Sequence, residues 1–364
     1  MTSLRFALFT TTLLAAAVSR ANERIAPLAQ LLKEGYQIPS PYHGATVKPL
    51  AMDEHSLEWP LDLRGDRLLI GNSMIQFQDF DVPGYWHGGC DVLVNSEKHR
   101  ILAPIGGRLE AGHYSYSLND DSGKLIKAWM PWPGQGDKTY FEIAIINAEG
   151  YRFEIHHIDR SSLPANIVAL LNAGGGHVDA GTFLGHAVDS FGDYNHIHYN
   201  IVAPDGTRLN PEYFSRSKPD YEAPEVLNAF AIFDNPVEIQ NFGSGSFARR
   251  PKEFVIRVVD RYFAGDTFDH APLLAQLQAQ SGPVSGWDFR RALVTEPGVW
   301  PRLFDFILKR ITAPDGTRYV TGSGYGRGIS LIRIPVTPSQ EGPFEILLGD
   351  DSGNQTILNG VLPR

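Results

Sequence analysis

Three segments of this sequence combine residue types and spacings that permit metal chemistry. They are "HGGCD" with His87 and Asp91, "EIHHID" with His156 and His157, and "NHIHYNI" with His196 and His198. Imidazole and carboxylate groups are zinc ligands, and a catalytic zinc typically takes three protein ligands and keeps one position open for water. The three segments together therefore indicate a hydrolytic metal site.

The elements that position these residues are predicted to be strands. Residues two apart in a strand face the same side of a sheet, so His196 and His198 are expected to project together. If His87 and Asp91 lie in extended chain, their spacing of four also preserves a common face. His87, Asp91 and one histidine of the His196/His198 pair would then hold the metal, and the remaining histidines would handle protons.

Each motif also has a purely structural interpretation. A strand histidine is more often a satisfied structural residue than a ligand, and "HGGCD" alone can be a glycine turn with an Asx-type hydrogen bond from Asp91. The metal interpretation gains from the occurrence of all three segments in one predicted domain.

The order of these motifs resembles that of the lysostaphin-type, or LytM-like, zinc metallopeptidases, which cleave peptidoglycan cross-links. H-x-G-x-D comes first, a histidine that ends a strand follows, and H-x-H with an aromatic comes last. "ILAPIGGRLEAG", "VDAGTFLG" and "NHIHYNIVAPDGTRLNP" are also similar to that family's strand and turn sequences. The resemblance covers about Asp79 to Phe214, and the combined motifs are more specific than any one alone.

The resemblance implies that Zn²⁺ is held by His87, Asp91 and His198, and that His196 is catalytic. The second catalytic histidine best matches His157, with His156 as the alternative. We prefer His157 because consecutive strand residues face opposite sides, so only one of the two is expected at the site. The only cysteine of the chain, Cys90, is adjacent to Asp91 and is expected to face away from the metal as a small buried residue.

The implied activity is hydrolysis of a peptide bond by a metal-activated water with histidine assistance. The expected substrate is peptidoglycan, in its cross-links or stem peptides, or another peptide. The alternative is a non-catalytic LytM-like regulator or wall-binding module that activates another hydrolase. Here "DYN" (Asp193 to Asn195) replaces the usual Gly-Pro before H-x-H, and "YN" (Tyr199, Asn200) replaces the usual Phe-Glu after it, which leaves substrate preference open.

The rest of the chain indicates an exported, mainly β protein. Composition and periodicity predict five regions: a signal peptide (1–21), an N-terminal extension (22–61), a β-rich domain (62–214), a linker (215–225) and an Ig-like β-sandwich (226–364). The resemblance implies that the β-rich domain is a LytM-like antiparallel β-sheet peptidase domain. A short helix is expected in "LPANIVALLNAGG", and both copies of "APDGTR" are expected to form hairpin turns.

The charge and the ends of the sequence limit its partners. The formal net charge is −9 in 364 residues, with no run of Lys and Arg, so nucleic-acid binding is not expected. The apolar stretch from Phe6 to Val18 is too short for a membrane span and precedes small residues, which favours cleavage near Ala21 and a secreted or periplasmic protein. No transmembrane segment is expected in the mature chain.

Overall fold

The fold was analysed in a computed structural model of the chain. The structure describes residues 52–74, 76–78, 85–94, 99–118, 125–233, 239–293, 311–312, 318–319 and 330–364. The predicted signal peptide, most of the predicted N-terminal extension and parts of the predicted β-sandwich lie outside these residues. Among the described residues, no helix has the length and apolar character needed to cross a bilayer.

The described chain is mainly β, as the sequence predicted, with antiparallel pairing in every sheet. Its first half contains β1 (Leu61–Asp62), β2 (Phe77–Gln78), β3 (Tyr85–Trp86), β4 (Cys90–Leu93), β5 (Arg100–Leu102), β6 (Gly107–Leu118), β7 (Leu125–Pro131), β8 (Phe141–Ile146), β9 (Arg152–His156), β10 (His177–Val178), β11 (Phe183–Gly185), β12 (His196–Val202) and β13 (Arg208–Leu209).

The second half contains β14 (Glu225–Ile232), β15 (Ile239–Asn241), β16 (Glu253–Val259), β17 (Leu274–Ser281), β18 (Ser285–Asp288), β19 (Ala292–Leu293), β20 (Ile311–Thr312), β21 (Arg318–Tyr319), β22 (Ser330–Pro335), β23 (Glu341–Gly349) and β24 (Gln355–Leu362). The described α-helices are α1 (Ala165–Asn172) and α2 (Pro211–Phe214). Three 3₁₀ turns accompany them, at Lys138–Tyr140, Arg160–Ser162 and Gly192–Tyr194.

A large sheet carries the histidine segments. Its main strand order is β10-β6-β8-β9-β12-β13-β19, with β4 also paired to β12 and β7 to β6. One face packs into the core, where Ile197, Tyr199 and Ile201 of β12 are fully buried with Cys90 and Val92 of β4. Because side chains alternate along a strand, the intervening residues His196, His198 and Asn200 lie on the opposite face. The sequence prediction that His196 and His198 share a face is confirmed.

The predicted short helix and the first predicted hairpin are present. α1 ends at Asn172 and is followed by Gly174 and Gly175 with φ of 88° and 103°, a backbone region that glycine adopts without a Cβ penalty. The first "APDGTR" connects the paired strands β12 and β13. Residues 313–317 of the second copy lie outside the described residues.

Two four-stranded sheets form the C-terminal part. Their orders are β15-β14-β16-β22 and β18-β17-β23-β24. Both contribute to one buried cluster, in which Phe254 and Ile256 of β16 join Leu277 of β17 and Ile346 of β23. Met74, from the chain that precedes β2, is fully buried in the same cluster.

The halves of the chain are connected more closely than the sequence indicated. Strand β19 of the second half pairs with β13 and extends the large sheet. The segment predicted as a linker is partly packed: Ser215, Lys218 and Asp220 are buried, whereas residues 216–217 and 221–223 are exposed. Charged and Pro-containing sequence suggested an exposed segment, but Lys218 and Asp220 are paired with each other and with Glu212 and Asp351 inside the protein.

Candidate metal centre

The antiparallel pairing of β4 with β12 brings the predicted ligands together. Its register places His198 directly opposite Asp91, and directly opposed residues present their side chains on the same face. Gly89 permits this approach, because a Cβ at that position would lie 2.2 Å from Asn200 Oδ1 and 2.3 Å from the Tyr199 carbonyl oxygen. Glycine is thus required in "HGGCD" for close approach of the backbone to β12.

Three potential ligand atoms converge at this point. His87 Nε2 lies 2.8 Å from His198 Nδ1 and 3.1 Å from Asp91 Oδ1, and the last two atoms are 2.9 Å apart. His87 and Asp91 are almost fully buried, whereas the His198 side chain is 18% exposed. We call these three residues the histidine–aspartate cluster; it is the ligand set implied by the sequence resemblance.

Backbone and side-chain contacts orient each member of this cluster. His87 Nδ1 donates to the Ser73 carbonyl oxygen at 3.0 Å, which leaves Nε2 as the nitrogen that faces the cluster. Asn72 Nδ2 and the Tyr194 hydroxyl donate to Asp91 Oδ2 at 3.0 and 3.2 Å, which leaves Oδ1 directed at the two histidines. Such outer contacts fix the tautomer and direction of metal ligands.

Sequence reasoning missed these supporting residues. Asn72 and Ser73 lie in irregular chain just after Ile70, which forms a single bridge with Val92. Backbone hydrogen bonds from Gly71 to Asp91 and from Asp91 to Asn72 hold it against β4. Tyr194 lies in the "DYN" departure from the family pattern, and that departure was the available signal.

Electrostatics in the cluster favour a cation among the three ligand atoms. Burial opposes a charge on His87, yet the Asp91 carboxylate raises the pKa of His87 above its ordinary value. Burial and the neighbouring His87 lower the pKa of His198 to about 4. Burial also opposes ionisation of Asp91, but the surrounding histidines His196 and His87 hold its pKa well below the usual range. An ionised carboxylate therefore faces at least one imidazole lone pair.

Two further histidines stand beside the cluster. His196 Nδ1 donates to the Tyr194 carbonyl oxygen at 2.8 Å, and its Nε2 lies 3.6 Å from Asp91 Oδ1. His157 Nδ1 donates to the Thr139 carbonyl oxygen at 2.6 Å, and its ring centroid is 4.8 Å from that of His196. Burial, with His196 nearby, lowers the pKa of His157 to about 3, so this imidazole is neutral over the ordinary pH range.

The expectation that only one of His156 and His157 reaches the site is wrong. Strand β9 ends at His156, and His157 adopts a left-handed φ of 63°, which interrupts the alternation of side chains. The ring centroids of His156 and His157 lie 5.2 and 6.5 Å from that of His198. Strand alternation therefore cannot choose between them, but the contact of His157 with His196 agrees with the preference for His157 as the proton carrier.

Cys90 does not join the cluster. It is fully buried in the core on the other face of the sheet, and burial raises the pKa of its thiol well above the ordinary value. The prediction that Cys90 is a buried filler is confirmed.

The histidine–aspartate cluster fits a zinc ion by the chemistry of its donors. Two imidazole nitrogens and one carboxylate oxygen are zinc ligands, and bonds of about 2.0–2.2 Å place the ligands of one ion within about 4 Å of one another. The three ligand atoms lie within 4.8 Å, and their closest separations are 2.8–3.1 Å. The residues present are therefore able to hold a metal ion.

The chain matches no model of a protein family, no curated protein and no solved structure.

Proposed function

We propose that the chain is an exported zinc endopeptidase of the lysostaphin, or LytM-like, type, with an Ig-like C-terminal sandwich. The observation that carries this proposal is the convergence of His87 Nε2, Asp91 Oδ1 and His198 Nδ1 beside two oriented histidines. Three ligands with proton-accepting groups next to them are the minimum for metal-assisted hydrolysis.

The residues of the site have three roles in hydrolysis: metal binding, acceptance of a proton from water and stabilisation of the charge on the substrate oxygen. His87, Asp91 and His198 would hold a zinc ion, which would supply a Lewis acid to polarise the scissile carbonyl and acidify water. His157 is neutral and has its proton fixed on Nδ1 by Thr139, so its Nε2 is the nitrogen that accepts a proton from water. His196, held by the Tyr194 carbonyl, steadies the negative charge that develops on the substrate oxygen.

The proposed substrate class is peptidoglycan, in its cross-links or stem peptides. This assignment is supported by the sequence resemblance over about Asp79 to Phe214 and by the predicted signal peptide, which would deliver the mature chain to the wall.

A wall-digestion assay tests the proposal. Purified residues 22–364 are incubated with isolated peptidoglycan, with and without a chelator, and released peptide fragments are measured by mass spectrometry. Chelator-sensitive release that zinc restores is expected for the parent, and none is expected for His198→Ala. The exposed-histidine variant His177→Ala is the matched control and should digest at the parental rate.

The regulatory alternative gives a different result in the same assay. If zinc binds stoichiometrically but neither peptidoglycan nor a Gly-rich protein is cleaved, the peptidase proposal fails. Stimulation of an added wall hydrolase by the inactive chain would then favour the regulator. Cleavage of the Gly-rich protein alone would keep the chemistry and change the substrate.

A further inference from the structure

A second set of ligand-type side chains lies beside the candidate metal centre. Glu142, Glu154 and His156 are all buried, and one ligand atom from each lies within 4.8 Å of the other two. We call these residues the Glu–Glu–His cluster. The ring centroid of His156 is 5.2 Å from that of His198, so the two clusters are neighbours on one face of the sheet.

The sheet register builds this second cluster from three strands. Glu142 of β8 is directly opposite His156 of β9, and Glu154, two residues before His156, faces the same side. Asn200 of β12 is directly opposite Glu154. The cluster is therefore part of the same rigid sheet face as His198 and does not depend on a loop.

The hydrogen bonds around His156 do not fit one another as they stand. His156 Nε2 lies 3.1 Å from Glu142 Oε2, which requires a proton on that nitrogen, and 3.2 Å from Asn200 Nδ2, which requires a lone pair. Asn200 is only 4% exposed, and its Oδ1 has no hydrogen-bond partner among the described residues. Since the two ends of an amide are assigned from their contacts, turning this amide would direct Oδ1 toward the cluster.

Two arginines pair with the carboxylates of this cluster. Arg152 lies 3.1 Å from Glu154 Oε1 and 3.6 Å from Glu142 Oε1, and Arg208 Nη1 lies 3.3 Å from Glu154 Oε2. Glu142 Oε2 faces His156, and Glu154 Oε2 also lies 3.3 Å from Asn200 Nδ2. The contact of Glu142 Oε2 with His156 and that of His156 with Asn200 involve neither arginine.

We propose that Glu142, Glu154 and His156, with the amide oxygen of Asn200, form a second site for a divalent transition-metal ion. One imidazole with carboxylate and amide oxygens suits the borderline ion Zn²⁺ or the harder Mn²⁺. Two cations on adjacent positions of one sheet face would provide a clamp for a substrate carbonyl or carboxylate oxygen. This clamping role rests on the proposed function, whereas the binding of a second ion does not.

Zinc stoichiometry tests the second site. The metal-depleted full chain is titrated with Zn²⁺ by calorimetry, and the bound metal is counted by elemental analysis after gel filtration. Two equivalents are expected for the parent and one for Glu142→Gln. His87→Ala should also bind one, because it damages the histidine–aspartate cluster and leaves the second site intact.

A matched control separates metal binding from ion pairing. Glu110 lies 2.7 Å from Arg152 but is outside the Glu–Glu–His cluster, so Glu110→Gln removes an ion pair of the same arginine and should retain two equivalents. One equivalent in the parent, or two in folded Glu142→Gln, would overturn the second site. His156→Gln replaces Glu142→Gln if circular dichroism shows that the latter is unfolded, and the count for the parent alone remains decisive.

The two proposals fail in distinguishable ways. If Glu142→Gln lowers the count and His87→Ala does not, the second site stands and the proposed catalytic centre falls. If His87→Ala lowers the count from one to none, the catalytic centre stands and the second site falls.

Discussion

Two buried clusters of charged residues differ in where their cation comes from. In the histidine–aspartate cluster, three ligand atoms approach one another within 2.8–3.1 Å. In the second, here called the lysine cluster, Lys218 Nζ lies 2.9–3.2 Å from carboxylate oxygens of Glu212, Asp220 and Asp351. The Tyr262 ring, 4.2 Å from Nζ, completes the surroundings of the ammonium group.

The difference indicates which of the two clusters is a ligand site. Burial opposes the charge on Lys218, but Asp351 and Glu212 raise its pKa well above the usual value, so an ammonium ion permanently occupies the lysine cluster. The described contacts of the histidine–aspartate cluster include no lysine or arginine, so its carboxylate must be balanced by a proton or a metal ion. One cluster therefore joins parts of the fold, and the other is suited to bind an ion from solution.

Removal of the Lys218 ammonium group should have the largest effect on the free energy of unfolding. Lys218→Met leaves three carboxylates buried around an uncharged side chain, and loss of one partner of a buried ion pair costs about 3–5 kcal/mol. The free energy of unfolding from urea titration should fall by that amount. Zinc should not restore it.

The exposed Lys252 provides the control for this substitution. Lys252→Met should change the free energy of unfolding by less than about 0.5 kcal/mol. A loss below 1 kcal/mol in Lys218→Met would show that the lysine cluster does not hold the halves of the chain together.

Removal of a ligand from the other cluster should leave the metal-free fold stable and abolish its response to zinc. At free zinc of 100 times Kd, binding stabilises the folded state by about 2.7 kcal/mol, and this increment should decrease strongly in His198→Ala. Thermal unfolding with and without zinc measures it, and activity should fall with it. An unchanged zinc increment in His198→Ala would contradict the ligand assignment.

His157→Ala should separate metal binding from proton transfer. Zinc content should stay at the parental value while kcat falls about 100-fold or more, because a positioned acid–base group contributes at least that factor. Elemental analysis and peptide release measure the two quantities. Full activity in His157→Ala together with an inactive His156→Ala would reverse the assignment of these neighbours.

Regular alternation made part of the site predictable from the sequence. His196 and His198 lie in a strand of seven residues, and the pairing of β12 with β4 preserves the common face that their spacing implied. Strands of the C-terminal half were predictable from short apolar runs bounded by turn residues, as in β16, which is buried on both faces, and from partial alternation of burial, as in β23.

The other parts of the site and fold depend on tertiary contacts, which produce no local pattern in the sequence. Asn72 and Tyr194 orient Asp91 from irregular chain, and the left-handed φ of His157 is not visible in a strand-like sequence. Lys218 and Asp220 read as exposed linker charges, because only the tertiary structure reveals that their partners come from β23–β24 and α2. The two-residue pairing of β13 with β19 is also too short to carry a signal.

Asp220 of the lysine cluster and His157 beside the histidine–aspartate cluster should change the free energy of unfolding in opposite directions as the pH falls. Burial raises the pKa of Asp220 to about 6, above an unfolded value of about 3.9, so the folded state binds more protons between these values. This carboxyl therefore adds stability as pH falls from about 6 to 4, by less than about 1.4 kcal/mol per pH unit. The pKa of His157 is lowered to about 3, so the folded state becomes less stable as pH falls below about 6.5, where this histidine is protonated in the unfolded chain.

The difference in acid stability between Asp220→Asn and the parent measures the contribution of the lysine cluster. Urea titrations of metal-free protein from pH 7 to pH 4 should give a steeper acid loss in Asp220→Asn than in the parent. The exposed variant Asp53→Asn should follow the parent. Parallel curves for Asp220→Asn and the parent would contradict the raised pKa.

Cys90→Ser should have the smallest effect on the metal. Zinc content should equal that of the parent, because Cys90 lies on the core face of β4 whereas Asp91, its neighbour in sequence, faces the histidines. Stability should fall by about 1 kcal/mol, since the serine hydroxyl would be buried among apolar side chains. A large loss of zinc in folded Cys90→Ser would mean that β4 can present either side chain to the metal. Side chains of β4 would then not alternate strictly between the core and the metal site, and the position of Asp91 as a ligand depends on that alternation.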